Sequence, residues 1–198
     1  MAMLVKNTPQ QPSQQEVLSG KYHSARHNIL LIVVFTLINI ILLVTNSNTY
    51  FLFSASIPYM IVDIGMALCG KYPAEYYAGE LSGMAFMSDT FFAITLAVAA
   101  VFLVLYLLSW IFSKKPRVGW MIFALVFFAI DTVGMLLLMG ISTDAIMDIV
   151  FHGWVIFSLT NGIISYFKLK KLPEEDFVAE EPAQVQEAVP AVEKEENQ

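Results

Sequence analysis

The polar and apolar positions of the chain divide it into long apolar runs separated by short polar breaks. Residues 1–26 are polar and Gln-rich, with Pro9 and Pro12. Apolar runs then cover about 28–45, 85–112, 118–141 and 145–167. Each is long enough, at 1.5 Å rise per residue, to approach or cross a hydrocarbon core of about 30 Å. The pattern predicts four transmembrane helices. Polar sequence resumes at residue 172 and runs to the end, rich in Glu, Pro, Ala, Val and Gln, the composition of a chain with too little apolar surface to fold. The expected organisation is therefore a disordered leader (1–26), a membrane bundle (27–171) and a disordered acidic tail (172–198).

The segment 50–84 breaks the pattern. Residues 50–69 are apolar but interrupted by Ser54, Ser56, Pro58, Asp63 and Gly65, and 70–84 are amphipathic, with charged and turn-forming positions (Lys71, Pro73, Glu75, Gly79, Glu80 and Gly83) among tyrosines. Tyrosine at this density suits the headgroup boundary. Either 50–69 is a fifth span, or 50–84 is a re-entrant or interfacial hairpin. Basic residues decide between them, because short cytoplasmic loops are enriched in Lys and Arg. With four spans and a cytoplasmic N-terminus, nine bases lie inside (Lys6, Lys21, Arg26, Lys114, Lys115, Arg117, Lys168, Lys170, Lys171) and Lys71 alone lies outside. With five spans and an external N-terminus the division is six to four. The first arrangement is preferred: an all-α polytopic membrane bundle of four full spans plus a re-entrant hairpin, with both termini cytoplasmic. Re-entrant backbone must be sheltered by protein or water, so 50–84 is expected to pack into the bundle.

Composition agrees. The chain has 198 residues, 57% hydrophobic and 14% charged. Soluble domains are nearer 25% charged. The net charge of −6 belongs to the tail, where nine acids and Lys194 give −8. The other 171 residues hold ten bases and eight acids, or +2. Nothing here fits a nucleic-acid binder. One cysteine, Cys69, excludes an intrachain disulfide and a multi-cysteine metal site. No signal-peptide cleavage pattern follows the first apolar run, so that run is expected to stay as an anchor. The reading is a multi-pass protein of a bacterial plasma membrane.

No nucleophile elbow, zincin helix, phosphate-binding glycine loop or C-x-x-C is present. What remains are ionisable residues in apolar runs, which are costly in a bilayer and are candidates for function. Asp131 lies 11 residues after Trp120, about 16 Å along a helix and so near the bilayer middle. It is a candidate proton or cation site, or else an interhelical hydrogen-bond partner of Thr36 or Asn39. Asp144, Asp148 and His152 recur at i, i+4 and i+8, on one helical face. Carboxylate plus imidazole suits a divalent metal or a proton relay, although Asp144 and Asp148 also suit a helix N-terminus. Asp89, beside Ser88 at the start of a span, is a third metal candidate or a helix-terminus charge. Asp63 and Glu80 complete a set that, with Asp89, Asp144, Asp148 and His152, would line an acidic outward vestibule.

Packing motifs are weaker signals. Ser158, Asn161 and Ser165, beside Gly162, read as helix–helix glue, and Ala93, Ala97 and Ala100 as a small-residue face for a neighbour helix. Gly79-x-x-x-Gly83 has the form of such a motif but lies outside an apolar run. Lys-Lys-Pro-Arg (114–117) anchors topology and faces anionic lipid. No cofactor is implied. Three function classes follow: a non-catalytic accessory or scaffold component, a proton- or cation-coupled transporter or channel component, and a membrane-embedded metal-dependent hydrolase. The partners implied are the lipid bilayer and other membrane proteins.

Overall fold

A computed structural model describes residues 13–114, 117–140 and 146–172. The fold is all-helical, with no strand among the described residues. Its helices are α1 (Gln14–Val44), α2 (Ser56–Leu68), α3 (Asp89–Phe112), α4 (Val118–Met139) and α5 (Ile146–Leu169), with 3-10 turns at Ala74–Tyr77 and Gly79–Leu81. Four of these, α1, α3, α4 and α5, are long and apolar enough to cross a membrane. α2 has 13 residues, about 20 Å of helix, which falls short of a bilayer core.

The long helices form a ring in which α1 packs on α5 and α3, and α4 packs on α5 and α3. α2 fills one half of the ring, against α3, α1 and α4. Tyr22 Oη donates to the Ser113 carbonyl at 2.9 Å, and Arg26 Nε to the Trp110 carbonyl at 3.0 Å. Tyr166 packs on Tyr22 with ring centroids 5.9 Å apart. The start of α1, the end of α3 and the end of α5 are thus together at one end of the bundle, which carries Lys21, Arg26, Lys114, Lys168, Lys170 and Lys171. This is the basic end. Lys71, Asp89 and the 3-10 turns lie at the other.

The fold subdivides along its axis. One apolar cluster joins α1, α3, α4 and α5 through Ile29, Ile32, Tyr106, Met121, Phe128 and Leu159. A second, in the half that holds α2, joins Ile40, Leu43, Val62, Met66 and Ala99. Large apolar side chains also face outward in all four long helices, as with Leu137, which is 80% exposed. In water such a surface is a liability; in a bilayer it is the lipid-facing side.

α1 begins earlier than the apolar run alone predicts. Ser13 and Glu16 form a reciprocal capping box, which starts the helix at Gln14 and makes residues 14–26 helical rather than part of a disordered leader. α3 likewise begins at Asp89, after the cap residue Ser88, not near Ala85. The predicted leader up to residue 12, the 141–145 turn with Asp144, Lys115 and Pro116, and the tail from residue 173 lie outside the described residues.

Glycines mark the close approaches. A Cβ at Gly65 would collide with Thr95 of α3, and one at Gly162 with Ala25 of α1. Gly162 therefore does act at a helix crossing, and Asn28 Nδ2 donates to Ser158 Oγ at 2.5 Å beside it. The alanine face of α3 does not: Ala93, Ala97 and Ala100 are exposed, while Thr95 and Ala99 are buried. α2 selects that neighbouring face because Gly65 lets it settle on Thr95. Gly79 and Gly83 adopt φ of 75° and 87° in the turns after α2, so they serve backbone conformation and not helix packing.

Candidate functional site

The site begins with unsatisfied backbone. After α1 ends, the chain turns back into the bundle before starting α2, and its amides need partners away from water. Asn39 supplies the first: its Oδ1 accepts from Phe51 N at 2.8 Å, and its Nδ2 donates to the Phe51 carbonyl at 2.7 Å and to Ser54 Oγ at 2.9 Å. Thr36 Oγ1 then accepts from Ala55 N at 2.7 Å. As the loop advances from 51 to 55, its partner on α1 retreats from 39 to 36, about 4.5 Å deeper into the bundle. This is the geometry of re-entry.

Asp131 completes the series from the opposite wall. Its Oδ2 accepts from Ser56 N at 2.9 Å and its Oδ1 from Ile57 N at 2.8 Å. The carboxylate of one helix is therefore the N-terminal cap of another. A helix start exposes N–H groups without intrahelical acceptors. Here two are taken by Asp131, and the next residue, Pro58, has none to place. Negative charge also complements the positive end of the α2 dipole. The expected interhelical hydrogen bond from Asp131 to Thr36 or Asn39 is absent, because all three side chains hold the same re-entrant segment instead.

His152 of α5 closes the cluster. Its Nε2 lies 3.4 Å from Asp131 Oδ2 and 3.4 Å from Ser56 Oγ. Its Nδ1 lies 2.8 Å from the Asp148 carbonyl. A carbonyl only accepts, so Nδ1 carries a proton. Nε2 then either donates to the Asp131 carboxylate or accepts from the Ser56 hydroxyl, and a single proton separates these two arrangements. Phe128 stacks on the imidazole at 4.9 Å and 14°. Asp131 and His152 are each 2% exposed.

The other acids are occupied separately. Asp63 accepts from the Tyr72 hydroxyl. Burial, with this carboxylate beside it, holds the Tyr72 phenol well above its ordinary value. Asp89 pairs with Lys71 at 2.5 Å on the exposed surface. Asp148 meets His152 through its backbone oxygen, not its carboxylate. Tyr50 shares a hydrogen bond of 2.9 Å with Ser54. Burial pushes its phenol up to about 12, against the pull of Ser54.

Of the residues singled out from the sequence, Asp131 and His152 come together. Asp63 and Asp89 each have a different partner, and the Glu80 side chain and Asp144 lie outside the described residues. Among the described residues, no group of three or more His, Cys, Asp or Glu side chains is placed to hold a metal. Ser56 joins this cluster although in the sequence it reads only as a polar interruption.

No known protein family, curated protein or solved structure matches this chain.

The geometry of the cluster sets the chemistry available to it. It can cap a helix, and it can hold one proton between an imidazole and a carboxylate.

Proposed function

We propose that this chain is a small integral membrane protein acting as a non-catalytic accessory or scaffold component. The observation that supports this reading most directly is the full use of Asp131. Its two oxygens serve the first amides of α2, and the residue is buried with its histidine partner. The polar side chains at mid-depth, Thr36, Asn39 and Asp131, are all spent on holding the re-entrant segment. A transport site keeps such groups open to a water-filled path. The nine-to-one division of bases supports a plasma membrane setting with both termini in the cytoplasm. The outward face of Ala93, Ala97 and Ala100 suits close approach by a helix of another membrane protein.

A second reading rests on the Asp131–His152 pair. An imidazole 3.4 Å from a buried carboxylate is also what a proton-coupled transporter or channel component uses. Reconstitution separates the two. Purified protein in vesicles loaded with a pH-sensitive dye is expected to conduct protons no faster than protein-free vesicles, with or without a potassium gradient. A flux above that background, abolished by Asp131→Asn, would overturn the scaffold reading in favour of the second.

A further inference from the structure

The basic end of the bundle holds a cleft of about 270 Å³, lined by Gln15, Ser19, Tyr22, His23, Lys114, Tyr166 and Leu169. It lies between the first turns of α1 and the ends of α3 and α5. Its size falls below the roughly 300–1,000 Å³ of sites for drug-sized ligands, so it suits a compact headgroup. Its lining supplies hydrogen-bond donors of several kinds and one lysine. The same end of the bundle is basic: Lys21 and Arg26 lie in the first half of α1, Arg117 before α4, and Lys168, Lys170 and Lys171 at the end of α5. The one acid of α1, Glu16, already accepts from Ser13 N at 2.9 Å.

Two features favour an anion here. The ends of helices α3 and α5 present carbonyls, which repel negative charge. At α3 two of these are already taken, since Trp110 O accepts from Arg26 and Ser113 O from Tyr22, and at α5 the Tyr166, Lys168 and Leu169 carbonyls accept from the amides of Lys170, Lys171 and Leu172. Depth is the second. His23 precedes Asn28, where the apolar run of α1 begins, by five residues, or about 7 Å of helix. That is the thickness of one interfacial layer outside the hydrocarbon core. Tyr166, near the end of its own apolar run, forms an aromatic wall with Tyr22 at the same level.

We propose that this cleft binds the phosphate of an anionic membrane lipid. Lys114 provides the charge, His23 and Ser19 provide donors, and the Tyr22–Tyr166 wall faces the apolar part of the lipid. The inference is independent of the scaffold and proton readings, which rest on the Asp131–His152 cluster and use none of the cleft's residues.

The test uses the full chain in nanodiscs of phosphatidylcholine. Short-chain phosphatidylglycerol is titrated in and its binding followed by native mass spectrometry. Loss of one lysine contact at a membrane surface corresponds to about fivefold in affinity. Lys114→Gln should weaken binding by about that factor, Lys114→Gln with His23→Gln by more, and Lys114→Arg should restore it. Lys171→Gln, a base at the same end but outside the cleft, should change binding less than twofold. Unaltered elution in gel filtration checks that each variant folds. Equal binding by the original chain and the double variant would overturn the proposal. So would an equal loss in Lys171→Gln, which would mean diffuse attraction. Displacement of the lipid by inorganic phosphate at matched concentration would assign the cleft to a free ion. A tenfold gain on deleting 174–198 would assign it to the acidic tail.

Discussion

Asp131 on α4 accepts the backbone N–H of Ile57 at 2.8 Å, so a charge inside one span is the cap of a helix that belongs to another part of the chain. Removing it should expose the cost of the arrangement. Asp131→Ala leaves one buried and one half-buried amide without acceptors, and each is worth about 1–3 kcal/mol. The expected loss is about 2–6 kcal/mol in reversible unfolding from detergent micelles. Asp131→Asn keeps one carbonyl oxygen and should cost roughly half as much. Equal stability of all three proteins would mean that water replaces the carboxylate.

Thr36→Val tests the loop anchor on the other wall. The valine fills the same volume and offers no acceptor to Ala55 N. Stability should fall by about 1–3 kcal/mol. Amide exchange should accelerate at Ala55 but not in the middle of α3. Unchanged protection at Ala55 would detach Thr36 from the re-entrant segment.

These two residues also show how much the sequence disclosed. The four spans were legible because each apolar run matches a bilayer in length. The re-entrant segment was legible from charge, since only one sidedness gathers nine bases. Asp131 stood out as a carboxylate in an apolar run, but its partner did not. Side-chain spacing reports which residues share a helix face. It does not report which backbone amides lie open elsewhere in the chain, and those are what Asp131, Thr36 and Asn39 serve. The Ile57-Pro58 pair at the start of α2, where one N–H is missing, was the available hint. The Ser13-x-x-Glu16 box is a plainer signal of a helix start, masked by the polar, Gln-rich composition around it. The face of α3 that packs inward was not legible, because it depends on where Gly65 of α2 comes to rest.

Sidedness is open to a labelling experiment. In a Cys69→Ser background, single cysteines at Ser13 and Lys114 should resist an impermeant thiol reagent in intact cells. A cysteine at Tyr76, which is exposed in the turn after α2, should react. All three should react after lysis. Reaction at Ser13 but not at Lys114 in intact cells would restore the five-span arrangement.

Alkaline pH is expected to act through Tyr50, whose hydroxyl is held by Ser54 although the residue is 37% exposed. In the unfolded chain its phenol ionises near 10, and in the fold near 12. The folded state therefore keeps a proton that the unfolded state releases. Stability should be undiminished below pH of about 10 and decline from there towards 12. Tyr72, held high by burial and Asp63, acts in the same direction. Tyr50→Phe should flatten the decline and remove a late-titrating step from the ultraviolet absorbance of the phenols. A decline of unchanged steepness in Tyr50→Phe would place the alkaline sensitivity elsewhere.

The helix crossings can be ranked by what an added methyl would meet. At Gly162 it meets the Ala25 Cβ, which is fixed to the α1 backbone, and Met121 Sδ at 3.1 Å. At Gly134 it meets the tip of Ile57 at 2.8 Å, and a side-chain tip can rotate away. At Gly153, also in α5, nothing lies within 4 Å. Overpacking a fixed contact costs about 1–3 kcal/mol, so Gly162→Ala should be destabilising by that amount and Gly134→Ala by less. Gly153→Ala relieves the low helix propensity of glycine and should be neutral or stabilising, by up to about 1 kcal/mol. The three variants add the same methyl to helix interiors, so their order in a thermal or denaturant series reads the crossings directly. Gly162→Ala as stable as Gly153→Ala would mean that α1 and α5 do not meet at Ala25. That would also remove the register that brings Tyr166 beside Tyr22 at the basic end.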